Sequence, residues 1–180
     1  MGSKNSKADP DTRAKHYHTL YFDPEADSST GRDFFITAAD LRKGVESLGK
    51  SDNILEVRYY TNPLYGVQVT QLVLHHAFIV FLTERAWWSI ERNELGVTIQ
   101  RSKKIEFVRD KFRRQDRTTD LFGSGIHWEK RCFGITNVTL KELLTHICRE
   151  DYLNEDYDLL ENNCKHFAEN IYQFVKVRCT

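Results

Sequence analysis

Beyond Pro63 the chain contains no proline, so residues 64–180 can form strands and helices without an obligatory break. The runs Ile54–Tyr60, Val67–Leu74, His76–Leu82, Trp87–Glu91 and Val97–Arg101 are rich in β-branched and aromatic residues and predict strands. Thr83-Glu84-Arg85 and the stretch from Asn93 to Gly96 are short breaks of the kind antiparallel hairpins need. A helix is expected from Thr37 to Leu48: Thr37 and Asp40 stand three apart as a capping box, Leu41, Val45 and Leu48 follow at helical spacing, and Gly49 can end it. Two further helices follow the strands. Thr139 and Glu142 form a capping box, Val138 can staple onto Leu143, and Leu140, Leu143, Leu144, Ile147 and Cys148 make one apolar stripe. The last helix is expected to start near Asn162–Asn163 and to bury Cys164, Phe167, Ala168, Ile171, Phe174 and Val175. A strand-rich middle followed by helices predicts an α+β fold, an antiparallel sheet packed against helices.

Residues 1–32 are polar, carry Pro10 and Pro24, and are expected to be a flexible arm; residues 33–180 are expected to form one domain. The longest apolar run, Ala77 to Leu82, is six residues, far short of the roughly 20 that a spanning helix needs. No apolar stretch near the N-terminus suggests a secretory signal. The 26 basic and 26 acidic residues cancel, which argues against a dedicated nucleic-acid binder. Cys132, Cys148, Cys164 and Cys179 include no C-x-x-C pair and are read as reduced thiols of a cytoplasmic protein. His127, Cys132, His146, Cys148, Cys164 and His166 supply metal-ligand types, but not at zinc spacing, and no Gly-rich phosphate loop is present. No metal and no cofactor is expected.

Cys164 follows two asparagines that can cap a helix. At a helix start, unpaired backbone N–H groups and the positive end of the dipole favour the thiolate, the nucleophilic form. A base must come from elsewhere. His75 and His76 open the best strand and alternate to opposite faces, so either can serve. By themselves these features favour a buried structural cysteine, which is commoner near a helix end than a catalytic one.

The segment Tyr157-Asp-Leu-Leu-Glu-Asn-Asn-Cys164-Lys-His-Phe-Ala-Glu-Asn-Ile is more specific. It resembles the C-terminal nucleophile box of the permuted papain-like families of the NlpC-type superfamily. These are the lecithin:retinol acyltransferase-like proteins, with box N-C-E-H-F, and the PPPDE isopeptidases, with N-C-N-H-F. In both, the histidine precedes the cysteine, as His75/His76 precede Cys164. The stretch His76-Ala-Phe-Ile-Val-Phe, a turn, and Trp87-Trp-Ser-Ile-Glu is similar to their histidine hairpin, and the resemblance spans about residues 50 to 177. It implies a papain-like fold with Cys164 as nucleophile, His76 as base with His75 as its rival, and Asn163 as helix cap and scaffold. His166, about 200° round the helix from Cys164, is read as structural. The first of these families usually carries a second histidine on the next strand. Here Ser89 or Glu91 takes that role, or the site is a Cys–His dyad.

The implied activity is a cysteine-dependent acyl hydrolase or acyltransferase with a thioester on Cys164, acting on an acyl-lipid or a ubiquitin-like conjugate. The alternative is a non-catalytic papain-like module that recruits anionic lipid or an acidic protein. Met1-Gly2-Ser3-Lys4-Asn5-Ser6 fits myristoylation at Gly2, and fits an expression scar as well. Residues 101–117 hold eight basic and three acidic side chains, a net of +5. Arg101, Lys103, Lys104, Arg113 and Arg114 would then add the second membrane signal that one acyl chain needs, at the cytoplasmic face of a membrane. A solvated face explains the same charges. The acidic stretch Arg149 to Glu161, six acids against one base, leads into Cys164.

Overall fold

A computed structural model of the chain describes residues 19–47, 52–63, 75–117, 125–134, 137–150, 152 and 163–176. The fold is α+β, a mostly antiparallel sheet packed against helices. In chain order the strands are β1 (Thr19–Asp23), β2 (Phe34–Thr37), β3 (Ile54–Pro63), β4 (His75–Thr83), β5 (Trp87–Asn93), β6 (Gly96–Ser102), β7 (Lys111–Phe112), β8 (Gln115–Asp116) and β9 (His127–Phe133). The helices are α1 (Ala38–Ser47), α2 (Glu106–Arg109), α3 (Leu140–Arg149) and α4 (Cys164–Lys176). Seven strands form one sheet in the order β2-β1-β6-β5-β4-β3-β9, with β7 and β8 as a separate hairpin. Every pairing in the large sheet is antiparallel except β1 with β6.

Strand β4 lies inside this sheet and is covered on both sides, which is why it reads as a continuous apolar run rather than an alternation. Ala77, Ile79 and Phe81 belong to the core shared with α3 and α4, where Leu143, Ile147, Phe167, Ala168, Ile171 and Val175 are buried. Phe78 and Val80 face the other way and pack with Tyr60, Ala26 and Val108 under α2. Each buried Leu, Ile or Phe contributes about 1.5–3 kcal/mol relative to exposure. The α3 start carries the full capping box: Thr139 N–H donates to Glu142 Oε2 at 2.8 Å and Glu142 N–H to Thr139 Oγ1 at 3.2 Å. At α1, Asp40 accepts from both Thr37 groups and donates its N–H to Thr37 Oγ1.

Four expectations change. The flexible arm cannot extend to residue 32, because Thr19–Asp23 pairs with both β2 and β6 and buries Leu20 and Tyr21. Residues 34–37 form edge strand β2, so Thr37, expected to open the helix, closes a strand instead. Strand β9 is a further addition, its alternation weakened by exposed aromatics at Trp128 and Phe133. Cys132 is disulfide-bonded rather than reduced, to a partner outside the described residues, whereas Cys148 and Cys164 are free thiols. The expected strand Val67–Leu74, the helix end at Leu48–Gly49, the acidic stretch 153–161 and Gly2 also lie outside the described residues.

Candidate active site

Helix α4 begins at Cys164. Asn163 caps it, its Oδ1 accepting from Lys165 N–H at 2.9 Å and His166 N–H at 3.1 Å, while its carbonyl receives Phe167 N–H at 3.1 Å. An asparagine is suited to this place because its short amide satisfies donors that the first turn leaves unpaired. Cys164 is 5% exposed and its Sγ lies 4.0 Å from the His75 carbonyl oxygen, so the thiol sits at the head of β4.

There it is an electrostatic neighbour of the His76 imidazole. His76 lies on the Phe78 side of the sheet, its ring stacked on Phe78 with centroids 6.4 Å apart. Alternation therefore sends His76 away from the α4 core, and it still reaches the thiol, because Cys164 is the first residue of the helix and sits beside the β4 backbone. His75 turns its ring edge-on to His127 at 6.3 Å.

One ring nitrogen of His76 is committed. Nε2 lies 2.7 Å from Glu91 Oε2 on β5. Phe78 is the residue directly opposite Glu91, so His76 meets it across the diagonal. Ser89, the other expected partner, is fully buried and instead accepts from Gln100 Nε2 at 3.4 Å. Glu91 is 1% exposed and its charge is met twice more: Arg117 Nη1 donates to Oε2 at 3.0 Å and Nη2 to Oε1 at 2.6 Å. A bidentate fork of this kind is the strongest geometry available to a carboxylate. Arg117 is held in turn by the Arg109 carbonyl at 2.9 Å and by the Phe78 ring, whose centroid is 3.9 Å from its guanidinium carbon.

The electrostatics follow from this packing. Burial opposes protonation of His76, but the interaction with Cys164, the hydrogen bond to Glu91 and the Glu91 charge outweigh it and raise the imidazole to about 9. Burial likewise opposes ionisation of Glu91, and Arg117 and His76 overcome it, lowering the carboxyl to about 2. The pair is imidazolium and carboxylate across the neutral range. Cys148, buried without such neighbours, has its thiol pushed up by burial, partly countered by Arg42.

No protein-family model, curated protein or solved structure matches the chain. The chemistry of the site therefore rests on its own geometry.

Arg117 was not singled out by its sequence surroundings, being one of eight bases in a run. The signal that points to it is indirect: a glutamate inside an apolar strand must find a cation. The hairpin that delivers it also accounts for its neighbours. Arg113 and Arg114 form the two-residue turn between β7 and β8 with φ of 48° and 68°, the left-handed region that costs a side-chain-bearing residue roughly 1–2 kcal/mol. Both are fastened. Arg113 N–H donates to Gln100 Oε1 at 2.6 Å, its Nε and Nη2 reach Thr98 Oγ1, and its guanidinium lies over Tyr21, Phe35 and Phe112. Arg114 clasps buried Asp23 through Nε at 2.7 Å and Nη2 at 3.0 Å. Arg113 and Arg114, expected at a membrane surface, here anchor a strained turn through contacts within the chain. Arg101 is also engaged, with the Pro24 carbonyl and the Trp88 ring, which leaves Lys103 and Lys104 as the exposed cations of that group. Among the described residues no helix is long and apolar enough to cross a membrane, and no three His, Cys, Asp or Glu side chains gather as a metal site.

Proposed function

We propose that the chain is a cysteine-dependent acyl hydrolase or acyltransferase of papain-like design. The observation that carries this reading is one arrangement: a thiol at a capped helix start, beside an imidazole whose Nε2 is held by a buried, arginine-clamped carboxylate. Glu91 fills the orienting role, so the site is a Cys–His–Glu arrangement rather than a dyad. Papain-like thiol sites use this logic of nucleophile, base and orienting group.

In the forward step the Cys164 thiolate, whose proton already rests on the His76 imidazolium, attacks the acyl carbonyl carbon. The tetrahedral oxyanion collapses to a thioester as His76 returns that proton to the departing alcohol or amine. Water, or a second alcohol or amine, then loses a proton to His76 and attacks the thioester, releasing the acid or the new acyl product and restoring the thiolate beside the imidazolium. Glu91 keeps the imidazole in register and stabilises its protonated form. The Cys164 backbone N–H is the proposed oxyanion donor. An acyl-lipid and an isopeptide conjugate both fit this chemistry.

The test is the pH dependence of iodoacetamide labelling, located by mass spectrometry, in the wild type and in His76→Ala and His75→Ala. Preferred labelling of Cys164 over Cys148, with an apparent pKa below the ordinary thiol value of about 8.5 and lost in His76→Ala alone, supports the reading. An inert Cys164 indifferent to both substitutions overturns it and leaves a papain-like shell used for binding.

A further inference from the structure

On the Phe78 side of the sheet a cavity of about 430 Å³ opens between β3, β9 and the end of α2. Its size falls in the range of small-molecule sites. Three of its lining residues are arginines, Arg58, Arg109 and Arg131, and their donors are only partly used. Arg58 and Arg131 both place Nε on the same oxygen of Glu56, a carboxylate 2% exposed. Arg109 spends Nε and Nη2 on Asp110. Three guanidiniums against two carboxylates leave a local charge of +1, because arginine stays protonated at any working pH.

Tyr60 adds a directed donor. Its hydroxyl accepts from Arg58 Nη1 at 3.1 Å, and the Arg109 guanidinium lies near enough to interact with it electrostatically. With one acceptor position of the oxygen taken by Arg58, its proton remains available to a ligand, and among the described residues no acceptor meets it. Around this cluster the Nη groups of Arg131 and the second Nη of Arg58 have no described acceptor either. The cavity wall is completed by Trp128, 59% exposed, its indole fixed by an Nε1–H bond to the Lys130 carbonyl at 3.1 Å. A rim indole held in one orientation, beside converging N–H and O–H donors, is suited to a flat ring bearing an anion.

We propose that this cavity binds a phosphate monoester carried on a planar ring, of mononucleotide size. The ester oxygens take the donors of Tyr60, Arg58 and Arg131. Arg109 supplies positive field beside Tyr60, and the ring lies against Trp128. A phosphate monoester offers three acceptor oxygens and close to two charges, which matches this donor set better than a carboxylate does. The proposal stands apart from the thiol chemistry. Its place in the fold is nonetheless close: Tyr60 stacks on Phe78 at 5.6 Å, and Phe78 is the ring on which His76 rests.

The experiment is calorimetric titration of the full chain with AMP, ribose 5-phosphate and inorganic phosphate. AMP should bind saturably, and more tightly than ribose 5-phosphate and phosphate in that order. Arg131→Gln and Arg109→Ala should each weaken AMP binding tenfold or more, and Trp128→Ala should erase the advantage of AMP over ribose 5-phosphate. Arg149→Ala, an exposed arginine paired with Glu150, should change nothing. Arg109→Ala leaves the pairs on Glu56 intact, so it keeps the test alive if circular dichroism finds Arg131→Gln unfolded. Absence of saturable binding by all three probes, or equal binding by Arg109→Ala and wild type, overturns the proposal.

Discussion

His76 Nε2 and Glu91 Oε2 lie 2.7 Å apart on adjacent antiparallel strands, and both side chains are withdrawn from water. That one contact decides the proton economy of the thiol beside it. A carboxylate so placed holds the imidazole in a single orientation and favours its charged form, leaving Nδ1 as the ring nitrogen for the sulfur.

Replacing the charge while keeping the shape isolates this effect. Glu91→Gln should lower thiol-dependent acyl turnover by about 10²–10⁴-fold, the range ascribed to general acid–base catalysis. It should also pull the alkaline edge of the labelling profile downward, because the imidazolium loses its counter-charge. The pH profile of iodoacetamide labelling reads both. An unchanged alkaline edge would show that Glu91 is merely structural.

The same pair makes stability depend on pH with a defined sign. His76 is raised from 6.5 to about 9, so its contribution is complete below pH 6.5 and is lost as pH rises through 9. Glu91 is lowered from 4.5 to about 2, so its contribution is complete above pH 4.5 and is lost as pH falls through 2. Urea melts of wild type and His76→Gln should differ most between pH 5 and 6 and converge by pH 10. A gap that widens with alkali would contradict this assignment.

Arg117→Ala strands Glu91 as a buried, half-compensated anion. Loss of one partner of a buried ion pair costs about 3–5 kcal/mol. Arg117→Ala with Glu91→Gln should recover part of that loss, because the orphaned charge is gone. A double-mutant cycle in urea measures the coupling, and additive effects would disprove the clamp.

Two helix caps give a matched comparison. Thr139→Ala and Asn163→Ala should each cost about 1 kcal/mol, since each removes one side-chain cap. Only Asn163→Ala should slow Cys164 labelling, with Asn163→Asp restoring it. Equal slowing in both variants would mean that labelling reports global stability rather than the local helix start.

Much of the framework was readable from residue pattern. The capping boxes at Thr37 and Thr139, the apolar stripe of α3 and the strand runs around β4 to β6 all depend on near neighbours, which a linear pattern records. Strands β1 and β9 were missed because their partners lie far along the chain: Tyr21 pairs with Thr98 and Val57 with Cys132. Short, partly exposed segments carry little periodicity of their own. At the site, Cys164, His76 and Glu91 could be named from residue type and order. The choice between Glu91 and Ser89 could not, because both sit on the same face of one strand. Arg117 was hidden for another reason. Basic residues in a run look alike until the fold buries one of them and leaves Lys103 and Lys104 in solvent.

The imidazole, carboxylate and guanidinium all come from the continuous stretch that runs from β4 to Arg117, just past β8, while the sulfur is brought by α4, a separate element resting on the sheet. Reactivity is therefore a gauge of one docking event. A transient detachment of α4 would carry the proposed nucleophile away from His76 while the strands, and the ion pairs among them, stayed formed. On heating, chemical competence should fade before the β signal does, and amide exchange in α4 should set the clock for that decline.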